Sequence, residues 1–170
     1  MTTGTNGTTD TIGTVGTVDY LELADFLLIA EAVLQTPAKD IAKDASLNLA
    51  DSALHAPQAR FVGEEFYPEF PTKAAVLGAH LVKNHPLKDG NVQVALVATV
   101  EFCARNGFSW SPPPLDDDGE ETAAVFLDVA AAPISESVIE KLSGWIAERI
   151  GLSDPNGEPG SSAWSFPPKS

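Results

Sequence analysis

The stretch Asn84-His85-Pro86-Leu87-Lys88-Asp89-Gly90-Asn91 closes one apolar, helix-like segment and opens another. Before it, Ala74, Ala75, Leu77, Leu81 and Val82 recur as one stripe, which predicts a helix over about 71–84. After it, Val92 to Ala104 is apolar almost all round, the pattern of a helix buried on most sides. That predicts a central helix over about 91–105 with the loop at its N-terminus. Backbone N–H groups point outward there and the helix dipole is positive, so the position suits an anion. A histidine beside it can take or give a proton near neutral pH. Gly90 allows the tight turn, and Asn91 is placed to cap the central helix.

Residues 1–17 are mostly Thr and Gly without periodicity, which predicts a disordered tail. Asp19 reads as an N-cap with Glu22 at the capping-box position. Leu21, Ala24, Leu27, Leu28 and Ala32 then give a helix over about 20–35, ended by Thr36-Pro37. A short helix over about 45–55 stops before Pro57. Gln58 to Pro71 mixes Gly63 and Pro68 with Phe61, Phe66, Tyr67 and Phe70, and reads as an irregular loop or small hairpin. Asn106-Gly107 signals a helix end, and Ser111-Pro112-Pro113-Pro114 breaks the chain. Two more helices follow, about 119–131 and 135–150, the second capped by Ser135 and ended by Gly151. Residues 152–170 read as a flexible Pro, Ser and Gly tail carrying Trp164 and Phe166. The result is an all-α domain over 18–151, six or so helices with one small flap.

The chain has 170 residues and 44% hydrophobic content, enough for one domain with a core. Cys103 is the single cysteine, so no internal disulfide forms. It falls in an apolar helical pattern and reads as a small buried hydrophobe, which fits a reducing, cytoplasmic setting. The start of the chain has no basic and apolar leader pattern, and no apolar run approaches the ~18–20 residues of a membrane span. A net charge of −14 argues against nucleic acid and anionic membranes as partners. Asp116-Asp117-Asp118 with Glu120-Glu121 reads as a solvated loop leading into a helix start, where the dipole favours acids.

His85-Pro86-Leu87-Lys88-Asp89-Gly90-Asn91 resembles the signature loop H-P-F-x-D-G-N-K-R of the Doc (death-on-curing) branch of Fic-fold proteins. Upstream, Asp51-Ser52-Ala53-Leu54, Pro57-Gln58-Ala59, Phe61, Gly63-Glu64, Tyr67-Pro68 and Lys73-Ala74-Ala75 match the same pattern in order. Downstream, Phe102 and Asn106-Gly107-Phe108 match it too. The resemblance runs from about Tyr20 to Ile150. It implies a Fic/Doc-like helical bundle around the central helix, with a flap near Arg60, Phe61 and Tyr67 that holds the target in extended form. Three departures stand out. Val92-Gln93 replaces the Lys-Arg pair, Ala56 replaces the Arg before the Pro, and Leu87 replaces the loop Phe.

By the resemblance, His85 takes the proton from an acceptor hydroxyl; read by itself, it can equally cap the carbonyls of the preceding helix. Asp89 matches the acid that contacts the metal, and alternatively is a turn acid bonded to nearby N–H groups. A single carboxylate holds Mg²⁺ only with phosphate co-ligands. Gly90 and Asn91 belong to the phosphate loop, and Val92 and Gln93 stand where its cations belong. Phosphoryl transfer rests on positioning and charge neutralisation, and neither Val nor Gln replaces an Arg clamp. At ~1.5–3 kcal/mol per charge-assisted contact, losing two weakens nucleotide binding or transfer by roughly 10²–10⁴-fold. Glu101 interrupts an apolar helix as a buried acid or as a helix-end residue, His80 falls on the polar side of its helix, and His55 is a further titratable group. Arg60 stands near the missing Arg.

Four functions are consistent with these residues. The favoured one is a repurposed acid/base enzyme using His85 on a small, less anionic molecule. The resemblance implies a Doc-like toxin that uses ATP and Mg²⁺ to modify a protein hydroxyl and is restrained by an antitoxin-like peptide. The remaining two are a catalytically silent binding module and an inactivated form of the toxin.

Overall fold

A computed structural model describes residues 17–152. The expectations for the two tails, with Trp164 and Phe166, fall almost wholly outside the described residues. Among the described residues, seven helices carry the fold: α1 (Leu23–Leu34), α2 (Ala38–Asp44), α3 (Leu47–His55), α4 (Phe70–Asn84), α5 (Asn91–Arg105), α6 (Glu120–Ala131) and α7 (Glu136–Arg149). A 3₁₀ turn covers Ala56–Gln58. Two short antiparallel pairs complete it, β1 (Arg60–Phe61) with β2 (Glu64–Glu65), and β3 (Phe108–Trp110) with β4 (Ile150–Leu152). No described helix is long and apolar enough to cross a membrane.

The centre is the α4–α5 pair. α5 buries Val94, Ala95, Leu96, Ala98, Thr99, Phe102 and Cys103. α4 is buried even more completely, including Ala74, Ala75, Gly78 and Ala79. These small residues let neighbouring backbones come close. A Cβ on Gly78 would stand 2.8 Å from Thr99 Oγ1 of α5 and 3.0 Å from Phe126 Cε1 of α6. Phe70 stacks on Phe102 and Phe108, with ring centroids 4.9 and 4.5 Å away. Cys103 is fully buried, and burial pushes its thiol up to about 12, so it stays protonated and inert.

Several boundaries differ from the sequence reading. Asp19 does not cap α1. Glu22 does, in a reciprocal box with Asp25, whose carboxylate accepts from the Glu22 N–H at 2.8 Å. The Asp19 backbone is held instead by the Asn106 side chain, 87 positions away. Pro37 follows one helix and caps the start of α2, a helix that the sequence reading did not identify; Pro fits a helix start as well as a stop. Gly151 does not simply end α7 but pairs with Ser109 in a strand. Such a three-residue strand is made by its distant partner, so it leaves no local periodicity. Ser135 caps α7 as expected, accepting from the Val138 N–H at 3.3 Å. Asp116 is buried rather than solvated, because its carboxylate turns inward to accept N–H groups at the start of α6.

Candidate functional site: the α4–α5 loop

His85 is the C-cap of α4, with φ 49° and ψ 55°. This left-handed conformation ends the helix and turns the chain into the loop. The His85 side chain is exposed, while Pro86 and Leu87 are buried and anchor the turn. Leu87 is 4% exposed and joins the hydrophobic core. The Pro86 carbonyl accepts from the Ser46 N–H at 2.8 Å, and Asn84 Nδ2 donates to the Leu49 carbonyl at 3.0 Å. The α2–α3 junction therefore braces the loop from outside.

Inside the loop, Asn91 Oδ1 accepts from the Leu87 N–H at 2.9 Å and its Nδ2 donates to the Leu87 carbonyl at 2.8 Å. The α5 N-cap is Gly90, not Asn91. Asn91 is buried and both ends of its amide are committed to the loop's own backbone. Gly90 has φ +74°, and a Cβ there would run into Leu34 Cδ2. The left-handed conformation thus favours glycine, while the Leu34 side chain would have to turn aside for a Cβ.

Asp89 and Lys88 are exposed. They line a cavity of about 280 Å³ beside the loop, with Asp40 and Asp44 of α2 and an apolar side of Leu34, Ile41 and Leu87. Three aspartates face one lysine there. Asp40 also pairs with Lys43 at 3.1 Å, an exposed contact of small energetic weight. Among the described residues, no group of three His, Cys, Asp or Glu side chains is placed to hold a metal ion. His85 is not among the residues lining this cavity. Sequence reading missed Asp40 and Asp44, because no local signal ties α2 to a loop more than forty positions away.

Val92 is half-buried and Gln93 exposed, at the two positions that follow Asn91 in the first turn of α5. The first turn of α5 therefore offers backbone N–H groups and the Gln93 amide, with Lys88 and three aspartates around the cavity next to it.

The flap candidates lie elsewhere. The β1–β2 hairpin sits at the start of α4, where Lys73 Nζ reaches Glu65 Oε1 at 3.1 Å. His85 stands at the other end of this 15-residue helix, about 22 Å along its axis. Arg60, Phe61 and Tyr67 are not brought to His85. Arg60, four positions after Ala56, lies 3.6 Å from Glu65 within the hairpin. Glu101 is near the C-terminal end of α5, half-exposed and paired with Arg105 at 3.1 Å. His80 is half-buried rather than solvated, and desolvation holds its pKa below the usual value. His55 is exposed and its ring Nδ1 lies 2.8 Å from the Asp51 carbonyl. The resemblance included Lys73 without a role. It is 2% exposed, and its ammonium lies between Glu65 and the Tyr20 ring, 5.7 Å from the centroid.

Comparison with known proteins agrees with the loop and the fold. A family model described as the Fic/DOC family matches residues 20–103, which include the hairpin, α4, the loop and most of α5. Toxin Doc of Mycolicibacterium smegmatis (strain ATCC 700084 / mc(2)155) is 33% identical over 100 residues, covering 58% of this chain and 75% of that protein. No solved structure matches the chain. With its signature loop on the α4–α5 turn of a helical fold, the chain belongs to the Fic/DOC family.

Proposed function

We propose that this chain is a Doc-type protein of the toxin–antitoxin class that keeps the family's fold and loop histidine but has lost efficient ATP-dependent transfer, and that it acts by binding a protein partner. One observation carries this reading. At the start of α5 the Asn91 amide is used up by Leu87, and Val92 and Gln93 occupy the cation positions. The three aspartates beside the loop add repulsion for a polyphosphate. The repurposed small-molecule enzyme finds no support in the family match, and the cavity at the loop lacks His85. A protein partner, either an antitoxin-like segment or a target, is the alternative that the relative's name as a toxin favours.

Titration with ATP and Mg²⁺ by calorimetry tests the reading. The unmodified chain should show no binding in the range where Val92→Lys/Gln93→Arg binds, the two differing by roughly 10²–10⁴-fold. Tight binding by the unmodified chain would overturn it. A second reading, an active toxin, draws on Lys88, a loop cation lining the same cavity as Asp89. It predicts growth arrest on expression that His85→Ala abolishes.

A further inference from the structure

The hairpin end of α4 carries a surface that the signature loop does not use. Phe61, Val62 and Phe66 are 70%, 85% and 59% exposed, and the two Phe rings lie 6.2 Å apart. Val62 has φ 50° and Gly63 φ 81°, the two positive-φ positions of a hairpin turn. Glycine suits that conformation. A β-branched residue rarely takes it, and no burial within the fold compensates here. A strained apolar residue held in solvent points to a contact outside the fold.

Beside the hairpin runs a groove of about 940 Å³ between the start of α4 and one face of α7. Phe66, Tyr67, Ile134 and Ile139 supply its apolar lining, and Glu69, Glu136 and Glu140 its charge. Among the described residues, no Lys or Arg lines it. Glu69 and Glu136 stand at helix starts, where the dipole accounts for an acid. Glu140 has no such explanation. α7 lies outside the residues that the family model matches.

We infer that this groove docks a basic amphipathic segment of a partner protein, its apolar side on Phe66, Tyr67 and Ile134 and its cations against Glu69, Glu136 and Glu140. Charge selects this occupant. A second copy of the chain brings a net charge of −14 to an acidic rim and is repelled, whereas a cationic segment is attracted. The inference rests on the reading above in taking the chain to act through a protein partner. The groove and His85 lie at opposite ends of α4, so docking leaves the signature loop uncovered.

The test uses the full chain and a fluorescent helical leucine–lysine peptide, read by anisotropy, with a leucine–glutamate peptide as counterpart. The basic peptide should bind at one site, and Glu136→Lys/Glu140→Lys or Phe66→Ser should weaken it by about tenfold or more. Asp117→Lys/Asp128→Lys changes the net charge equally on other surfaces and should leave binding within about twofold. Equal weakening by both charge reversals would mean unspecific attraction and overturn the proposal, as would binding of the acidic peptide. Peptide binding that emerges only after Trp164→Ala/Phe166→Ala would assign the groove to the chain's own tail, and a dimer lost on Phe66→Ser would assign it to a second copy. Either result also overturns it. The nucleotide titration above reads the other end of the molecule. Tight ATP binding there would sink the proposed function while leaving a groove-specific peptide result standing.

Discussion

Gly90 and Asn91 show why a half-kept motif can retain its shape. Gly90 is needed for φ +74°, and a Cβ there would also push against the Leu34 methyl. Gly90→Ala should cost about 1–2 kcal/mol for the left-handed backbone alone. Removing the clash with Leu34→Ala should recover only the steric part, which a double-mutant cycle in urea would measure. Asn91→Ala strands the buried N–H and carbonyl of Leu87. At about 1–3 kcal/mol for each unsatisfied group, the loss should reach roughly 2–6 kcal/mol in chemical denaturation. Neither role involves phosphate. These residues are therefore required by the turn itself, and their presence carries no information about catalysis. Val92 and Gln93 play no such part in the turn and report on chemistry instead.

At the scale of elements, the start of α6 shows how acids can be structural. Asp116 is 4% exposed and accepts from the N–H groups of Glu121 and Thr122 and from the Thr122 hydroxyl. Burial pushes its pKa up, but the hydrogen bonds from the Thr122 hydroxyl and the two N–H groups outweigh this and hold it below the usual value. Asp25 is held down as well, by its hydrogen bonds from Arg105 and from the Glu22 N–H, which tie α1 to the end of α5. A carboxyl with a lowered folded pKa contributes stability that is present above its unfolded value, about 3.9, and lost as pH falls through the folded one. Unfolding free energy should thus fall as the solution is acidified below about pH 4. Asp116→Asn should lower stability at pH 7, by about 2 kcal/mol or more, and flatten the acid limb. Denaturation curves at several pH values check both. An unchanged acid limb in Asp116→Asn would refute the assignment.

For the whole molecule, the decisive point is the crossing of α4, α5 and α6 at Gly78. A valine there meets Thr99 and Phe126 below van der Waals distance. Gly78→Val should cost at least the ~1–3 kcal/mol of an overpacked core, read as a fall in the urea midpoint. A Cβ placed on Gly144 of α7 would meet nothing within 4 Å. Gly144→Ala should therefore stabilise by about 0.5–1 kcal/mol through helix propensity. The contrast separates a glycine that packing demands from one that it does not.

Periodicity alone determined that the chain is helical, since apolar spacing reports which side of a segment avoids water. It located α1, α4, α5, α6 and α7 to within a few residues, along with the Ser135 cap and the Asn106-Gly107 end. The order of small motifs around His85 determined the family, because turns and glycine contacts demand particular residues wherever the fold recurs. Long-range packing decided the rest. It made α2 and the β3–β4 pair, whose short segments are held by partners distant in sequence. It turned Asp116 inward, placed Asp40 and Asp44 beside the loop, and set the hairpin about 22 Å from His85 along α4. Which residues share a site depends on how helices stand against one another, and a linear pattern reports the face of a helix but not what that face meets.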